Sequence, residues 1–466
     1  MPTTTISSTV TSSALTVSGG EDLDVQSGGV ALGATVLSGG TAATDSGALA
    51  EDVVVSAGGS VIGAGELGGA SVVYGLVNGA TVLNSGLAGN DVYSMMVMSG
   101  GQAVDVTLES SVFAIVSAGG GESGGTIQGN ALLFDYGQLS GATISAGNVF
   151  VQAGGAAFGD TIGAGGLEII DWSGDASAGT AGGVATDETV LAGGALRISS
   201  AGAAIGTDVS AGGIETLIAG GVTTGAVLAG GLAYEYGYAS GTIVRAGGNE
   251  VVESHGSAWR SVVSSGGHEG VHAGAVTKGA TVSAGGLLQV SPGGGVAGGL
   301  TIAGGEAIID GHMYAGQTVH FTGSAGTLKL NNLTAFKAQI SGLHASLQKI
   351  DLGDFAFSTG ETVSWTQTGT SGTLTVSDGA QTADLTLVGT YATGNFQLSD
   401  DKHGGTFIVD PPLTRTGAGR AAAGFVQAMA VFGGGAATGP ASVRSHDTLL
   451  ISAASLTPSP SSGRSA

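Results

Sequence analysis

ATVSAGGLLQVSPGGGVAGG, residues 280–299, contains the whole design of the chain in one copy. A Thr-Val pair leads to a Gly-Gly step at 285. Four residues later an aliphatic residue, Val290, leads to a second glycine step. Working outward from this copy, Gly-Gly steps begin at 193, 212, 230, 247, 266, 285 and 304, a period of about 19 residues. Earlier steps at 19, 39, 58, 100, 119 and 165 follow the same interval with gaps. The segments after each step align as LEIID (167–171), ALRIS (195–199), IETLI (214–218), LAYEY (232–236), NEVVE (249–253), HEGVH (268–272), LLQVS (287–291) and EAIID (306–310). Their fourth column is Ile170, Ile198, Leu217, Glu235, Val252, Val271, Val290 and Ile309, aliphatic at every position but one.

Each unit therefore reads as two short strands and two glycine turns. A unit this small cannot bury its apolar side alone, but stacked copies share a continuous core. Neighbouring strands then pair at ~4.8 Å, and roughly 16 coils predict a rod of about 80 Å. The expected fold is all-β: a right-handed parallel β-helix, or β-solenoid, with coils of about 19 residues over 14–318. Residues 1–13 read as an N-terminal cap or leader. Proline agrees, since only Pro292 lies between Pro2 and Pro411 and internal strands exclude proline.

Composition narrows the function. Of 466 residues, 91 are glycine and 10% are charged, yet 42% are hydrophobic, which separates the chain from disordered sequences. The formal charge of −23 leaves no basic footprint for nucleic acid, so no nucleic-acid partner is expected. There is no cysteine, hence no disulfide or thiolate chemistry. No apolar run reaches the ~20 residues of a membrane helix, and no integral membrane segment is expected. MPTTTISSTVTSSALTV (1–17) shows neither a basic n-region nor an apolar h-region of the Sec type.

Several motifs match catalytic patterns without their context. His268-Glu269-Gly270-Val271-His272 fits H-E-x-x-H, which carries chemistry only on a helix. Here it fills a strand slot, with both histidines expected outward and Val271 inward. GAGELG (63–68) and GESGG (121–125) match a dinucleotide fingerprint and a hydrolase elbow, but no strand–turn–helix surrounds them. No enzyme activity and no catalytic residue are expected. No cofactor is expected either, although the acidic balance leaves calcium open. Glu250 and Glu269 hold one column in adjacent coils and form a candidate cation site, read as two side chains splayed into water. Asp400 and Asp401 form a second candidate. Threonine precedes an aliphatic residue at Thr35, Thr81, Thr143, Thr161, Thr189, Thr281 and Thr301, a candidate binding-face column interrupted at Asp208, Ala226 and Ser261.

The pattern T-V-x-x-G-G-x-x-x-V-x-x-G-G-x-A-x-G resembles the AIDA-type repeat of self-associating autotransporter adhesins, over about residues 14–318. The resemblance implies a passenger-type β-helix on the bacterial cell surface or outside the cell, acting in adhesion, autoaggregation or biofilm formation. Expected partners are copies of the chain itself, surface glycans, and host or abiotic surfaces. The chain departs from that family in lacking a Sec-type opening and a membrane β-barrel after the repeats.

Beyond the repeats, residues 319–412 alternate as strands in GTLTVSD and ADLTLVG and read as a compact β module, a solenoid cap or sandwich-like. They resemble a module near the C-terminus of large repetitive alphaproteobacterial proteins through IDLGDF, LTLVGTY, NFQLSDD and GGTFIVDPP. Residues 413–466 are rich in Ala, Ser, Gly and Pro and read as a tail, partly disordered, with a candidate secretion signal for an export machine. Two other functions compete with the adhesin reading. A polysaccharide-active or ligand-binding β-helix would need acidic pairs and aromatics in a groove. An ice-binding solenoid would need a more regular threonine array.

Overall fold

The computed structural model describes residues 2–84, 93–170 and 182–410. The Ala/Ser/Gly/Pro-rich tail with its candidate secretion signal, 413–466, lies outside the described residues. The fold is a β-solenoid of about 17 turns of parallel stacked coils, with a spacing near 19 residues.

A coil has three strands rather than two. Asn249–Val252 lies on one side, face A; Ser257–Trp259 follows on face B; Val262–Val263 follows on face C. His268–Val271 then returns to face A directly over Asn249–Val252, in parallel register. The sequence reading placed strands only on faces A and C and left face B within a glycine turn, because its three-residue strands lie between glycines and a two-residue corner. Arg260 (φ 55°) turns that corner in this coil. In the next two coils, Val276–Ser283 and Gly295–Ala303 run through it as one bent strand.

Alternation decides what is inside. On face A the second and fourth residues of each strand point inward and the first and third outward, as in Leu167–Ile170 and Leu287–Val290. The inward residues of all three faces merge into one continuous core.

The Gly-Gly step uses its two glycines differently. Gly266 sits at φ 74°, a conformation open to glycine, and its N–H donates to the Gly285 carbonyl of the next coil at 2.8 Å. Gly267 has ordinary φ, but a Cβ there would stand 2.4 Å from the Val244 carbonyl oxygen. One glycine turns the chain and the other lets the coils approach.

Residues 319–410 carry the stack onward before closing it. Ala325–Leu330 and Leu347–Leu352 add parallel strands to face A. Thr318–Phe321, Gln339–Ser341 and Thr382–Val388 do so on face C. Pairing then turns antiparallel. Thr406–Val409 covers the free edge of Leu347–Leu352, and a Thr362–Val388 meander folds over the other side. An edge covered in this way offers no template to another chain.

Candidate functional site

The outward threonines form a ladder on face C. Thr81, Thr107, Thr126, Thr143, Thr161 and Thr189 pair rung to rung in consecutive coils. Asp208, Val227, Ile243 and Val262 interrupt the row, Thr281 and Thr301 resume it, and His320 takes the next rung. Thr107 and Thr126 were not in the sequence-derived column. Thr35 does not belong to it: Thr35 pairs with Thr16 and Val54 on face A. Ala226 and Ser261 are not the interruptions, because both are buried one residue inside the row.

The His268–Val271 strand places Glu269 and Val271 inside and His268 half out. His268 Nδ1 lies 2.8 Å from Asn249 Oδ1 and His272 Nδ1 lies 3.0 Å from Glu253 Oε2, each a partner in the coil below. Residues four apart on a strand are about 13 Å apart, so the two imidazoles do not meet. Asp400 accepts from the Lys402 ammonium at 2.9 Å. Asp401 accepts from the His403 and Gly405 amides at 2.7 Å and lies 3.4 Å from Lys329 Nζ. The two carboxylates are therefore held by different donors.

Glu250 and Glu269 do stack in register, but not in water: both are fully buried. The reading of exposed, splayed side chains is corrected by strand alternation. If the fourth residue of each face A segment faces the core, so does the second, and the second is Glu in LEIID, IETLI, NEVVE and HEGVH. That signal was present in the sequence and was not used.

The pair belongs to a longer internal series. Glu122, Asp135, Asp160, Glu168, Glu188, Glu215, Glu235, Glu250 and Glu269 are all buried. Burial is the main cause of a raised pKa at every one of them, since a low-dielectric core disfavours the charged form. Glu122, Glu188 and Glu269 rise to about 8. Asp135, Asp160, Glu215 and Glu250 rise to about 7. Glu168 and Glu235 rise well above the ordinary range, with neighbouring carboxylates adding to the burial effect.

Two environments divide this series. Toward the C-terminal end, Glu215, Glu250 and Glu269 face alcohols from the other faces of the stack, whereas Glu235 has only the neighbouring carboxylates of Glu215 and Glu250. Thr207 and Thr223 turn toward Glu215 without reaching full hydrogen-bond geometry. Thr242 and Ser261 flank Glu250, with Ser261 Oγ donating at 3.3 Å, and Thr277 flanks Glu269. Further back, Asp160, Glu168 and Glu188 face one another: one oxygen from each lies within 4.8 Å of the others. Asp160 Oδ1 accepts from the Ala142 amide and Glu188 Oε2 from the Asp160 amide, both at 2.7 Å. Asp160 Oδ2, Glu188 Oε1 and both oxygens of Glu168 have no partner.

The outer surface of face A has its own character. From Phe113 to Ile169 its outward residues are Phe113, Ile115, Leu132, Phe134, Asn148, Phe150, Leu167 and Ile169, without a single charge. Phe134 and Phe150 stack with ring centroids 4.7 Å apart, and Phe113 meets Phe134 edge-on at 5.2 Å.

No family model and no curated protein matches the chain. Among solved structures, it is similar to a TibC-catalysed hyper-glycosylated fragment of TibA. The identity is 25%, the TM-score 0.29, and the match covers 70% of this chain and 94% of that one. It is also similar to the tailspike protein of E. coli bacteriophage HK620 in complex with a hexasaccharide. There the identity is 10%, the TM-score 0.28, and the coverage 88% and 84%.

Proposed function

We propose that this chain is a non-enzymatic, exported solenoid of the bacterial surface that attaches by its outer faces, first of all to copies of itself. One observation carries the reading: the uncharged, aromatic stretch of face A between Phe113 and Ile169. A solenoid gains its stability from the inward rows, so an outward apolar row is not needed for folding, and contiguous apolar surface marks an interaction site. Charge selects the occupant. The chain has 35 acidic against 12 basic residues, so even with the core acids buried its surface stays net acidic, and this uncharged patch is where two copies meet without repulsion. Repetition along the stack lets many weak contacts add. The AIDA-type pattern of residues 14–318 points the same way.

The test is sedimentation velocity of the full chain and of the double variant Phe134→Ser, Phe150→Ser. The expected result is concentration-dependent association of the parent and at least about tenfold weaker association of the variant, from ~1.4 kcal/mol of lost aromatic contact. Equal association, or a monomeric parent, contradicts self-association through face A.

Glycan attachment is a second reading, favoured by a different cluster. On face B, Tyr238 and the half-exposed Trp259 lie with ring centroids 5.8 Å apart, and Lys278 Nζ stands 4.9 Å over the Trp259 ring. Flat aromatic rings beside a hydrogen-bond donor suit stacking on sugar rings. Loss of binding to a glycan-coated surface in Trp259→Ala, with self-association kept, would separate this reading from the first.

A further inference from the structure

We propose that Asp160, Glu168 and Glu188 form a buried site for a hard divalent cation, calcium in particular, locked between adjacent coils.

Three features of the site support this. Its donors are carboxylate oxygens only, the preference of calcium and magnesium rather than of softer metals. The backbone amides of Ala142 and Asp160 each fix one oxygen of Asp160 and Glu188, so the second oxygen of each is left over. Glu168 is the independent observation. It is 0% exposed, both its oxygens are unpartnered, and it converges with the other two carboxylates within 4.8 Å. Elsewhere in the core, Glu215, Glu250 and Glu269 have alcohols beside them, and Glu122 and Glu235, though also unpartnered, are not met by two converging carboxylates as Glu168 is among the described residues. The carboxyl groups nearest Glu168 are instead Glu188 and Asp160, whose charges repel its own. A buried acid without donors calls for a counter-charge or a proton.

Calcium suits the place better than magnesium. It accepts irregular oxygen shells, and the three carboxylates offer four oxygens free of protein partners, two of them from Glu168. Magnesium keeps several of its waters, and these side chains are closed off from solvent. Such an ion enters as the coils close over it, so it is acquired during folding and exchanges slowly.

The full chain is unfolded in urea with chelator, then refolded with calcium, with magnesium, or with neither. Bound metal is measured after gel filtration, and Tm is followed in parallel. The expected result is one tightly held calcium per chain, and a Tm about 3 °C above that of the chelated protein. Glu168→Gln, the neutral isostere, is expected to fold and to lose both the calcium and the Tm shift. Glu215→Gln, outside the site, keeps both. Absence of stoichiometric calcium from the refolded parent overturns the proposal without reference to any variant. Calcium retained by Glu168→Gln also overturns it, as does uptake of magnesium in preference.

Discussion

Gly266 and Gly267 stand side by side, yet they answer to different forces. Placing alanine at Gly266 puts a Cβ on a residue at φ 74°, a penalty of roughly 1–2 kcal/mol. Placing it at Gly267 drives a Cβ to 2.4 Å from the Val244 carbonyl and forces two coils apart. The expected order by thermal unfolding is therefore Gly267→Ala well below Gly266→Ala, and both below the parent; the reverse order would contradict the close-approach role. The glycine spacing was legible in the sequence, because a period of 19 repeats it openly. The division of labour was not, since both glycines look alike until the coil beneath is known. Glu269 gives the complementary case. Its inward direction followed from Val271 two residues on, but a carboxylate was assumed to seek water. Strand geometry, which fixes side-chain direction, overrode that preference.

At the scale of strands, three near-equivalent sides explain what the repeat concealed. The four-residue strands Asp22–Val25 and Thr41–Thr44 lie on face B, whereas Leu167–Ile170 and its successors lie on face A. The sequence pattern thus slips by one face along the stack. The slip follows shortened steps, such as Glu66 pairing with Thr81. Identical motifs at Thr35 and Thr81 therefore face different directions, and no local feature of either reveals it. Coil-to-coil stacking also puts Glu215, Glu250 and Glu269 in one inward column, with Glu235 in the inward column beside it, which makes stability depend on pH in an unusual direction. Their folded pKa values lie above the ordinary 4.5: about 7 for Glu215 and Glu250, about 8 for Glu269, and well raised for Glu235. Between the ordinary and the raised values the folded chain holds more protons than the unfolded one, so stability falls as pH rises. The contribution is complete below about pH 4.5 and is lost as pH climbs through 7 to 8. Thermal unfolding at pH ~5 and pH ~8.5 is expected to show the higher Tm in acid, and Glu235→Gln with Glu250→Gln to flatten the difference. A Tm that is level or rises toward alkaline pH would refute the buried ladder.

For the whole molecule, stacking converts a weak local pattern into long faces, and the faces are what the proposed function uses. The core rows follow from periodicity and were readable in advance. The outward rows depend on register between coils, which the sequence encodes only through the lengths of the corners. Hence the threonine row was partly recovered, and the aromatic run on face A was missed: Phe113, Phe134 and Phe150 lie 21 and 16 residues apart, off the mean period. If the solenoid acts by presenting these faces, it must stand outside the cell. The most direct measurement is antibody against residues 182–410 applied to intact producing cells, with permeabilised cells as the reference. Labelling of intact cells at a level comparable to permeabilised ones is the expected result. Labelling that appears only after permeabilisation would contradict surface attachment and leave the outer faces of the solenoid without the role assigned to them.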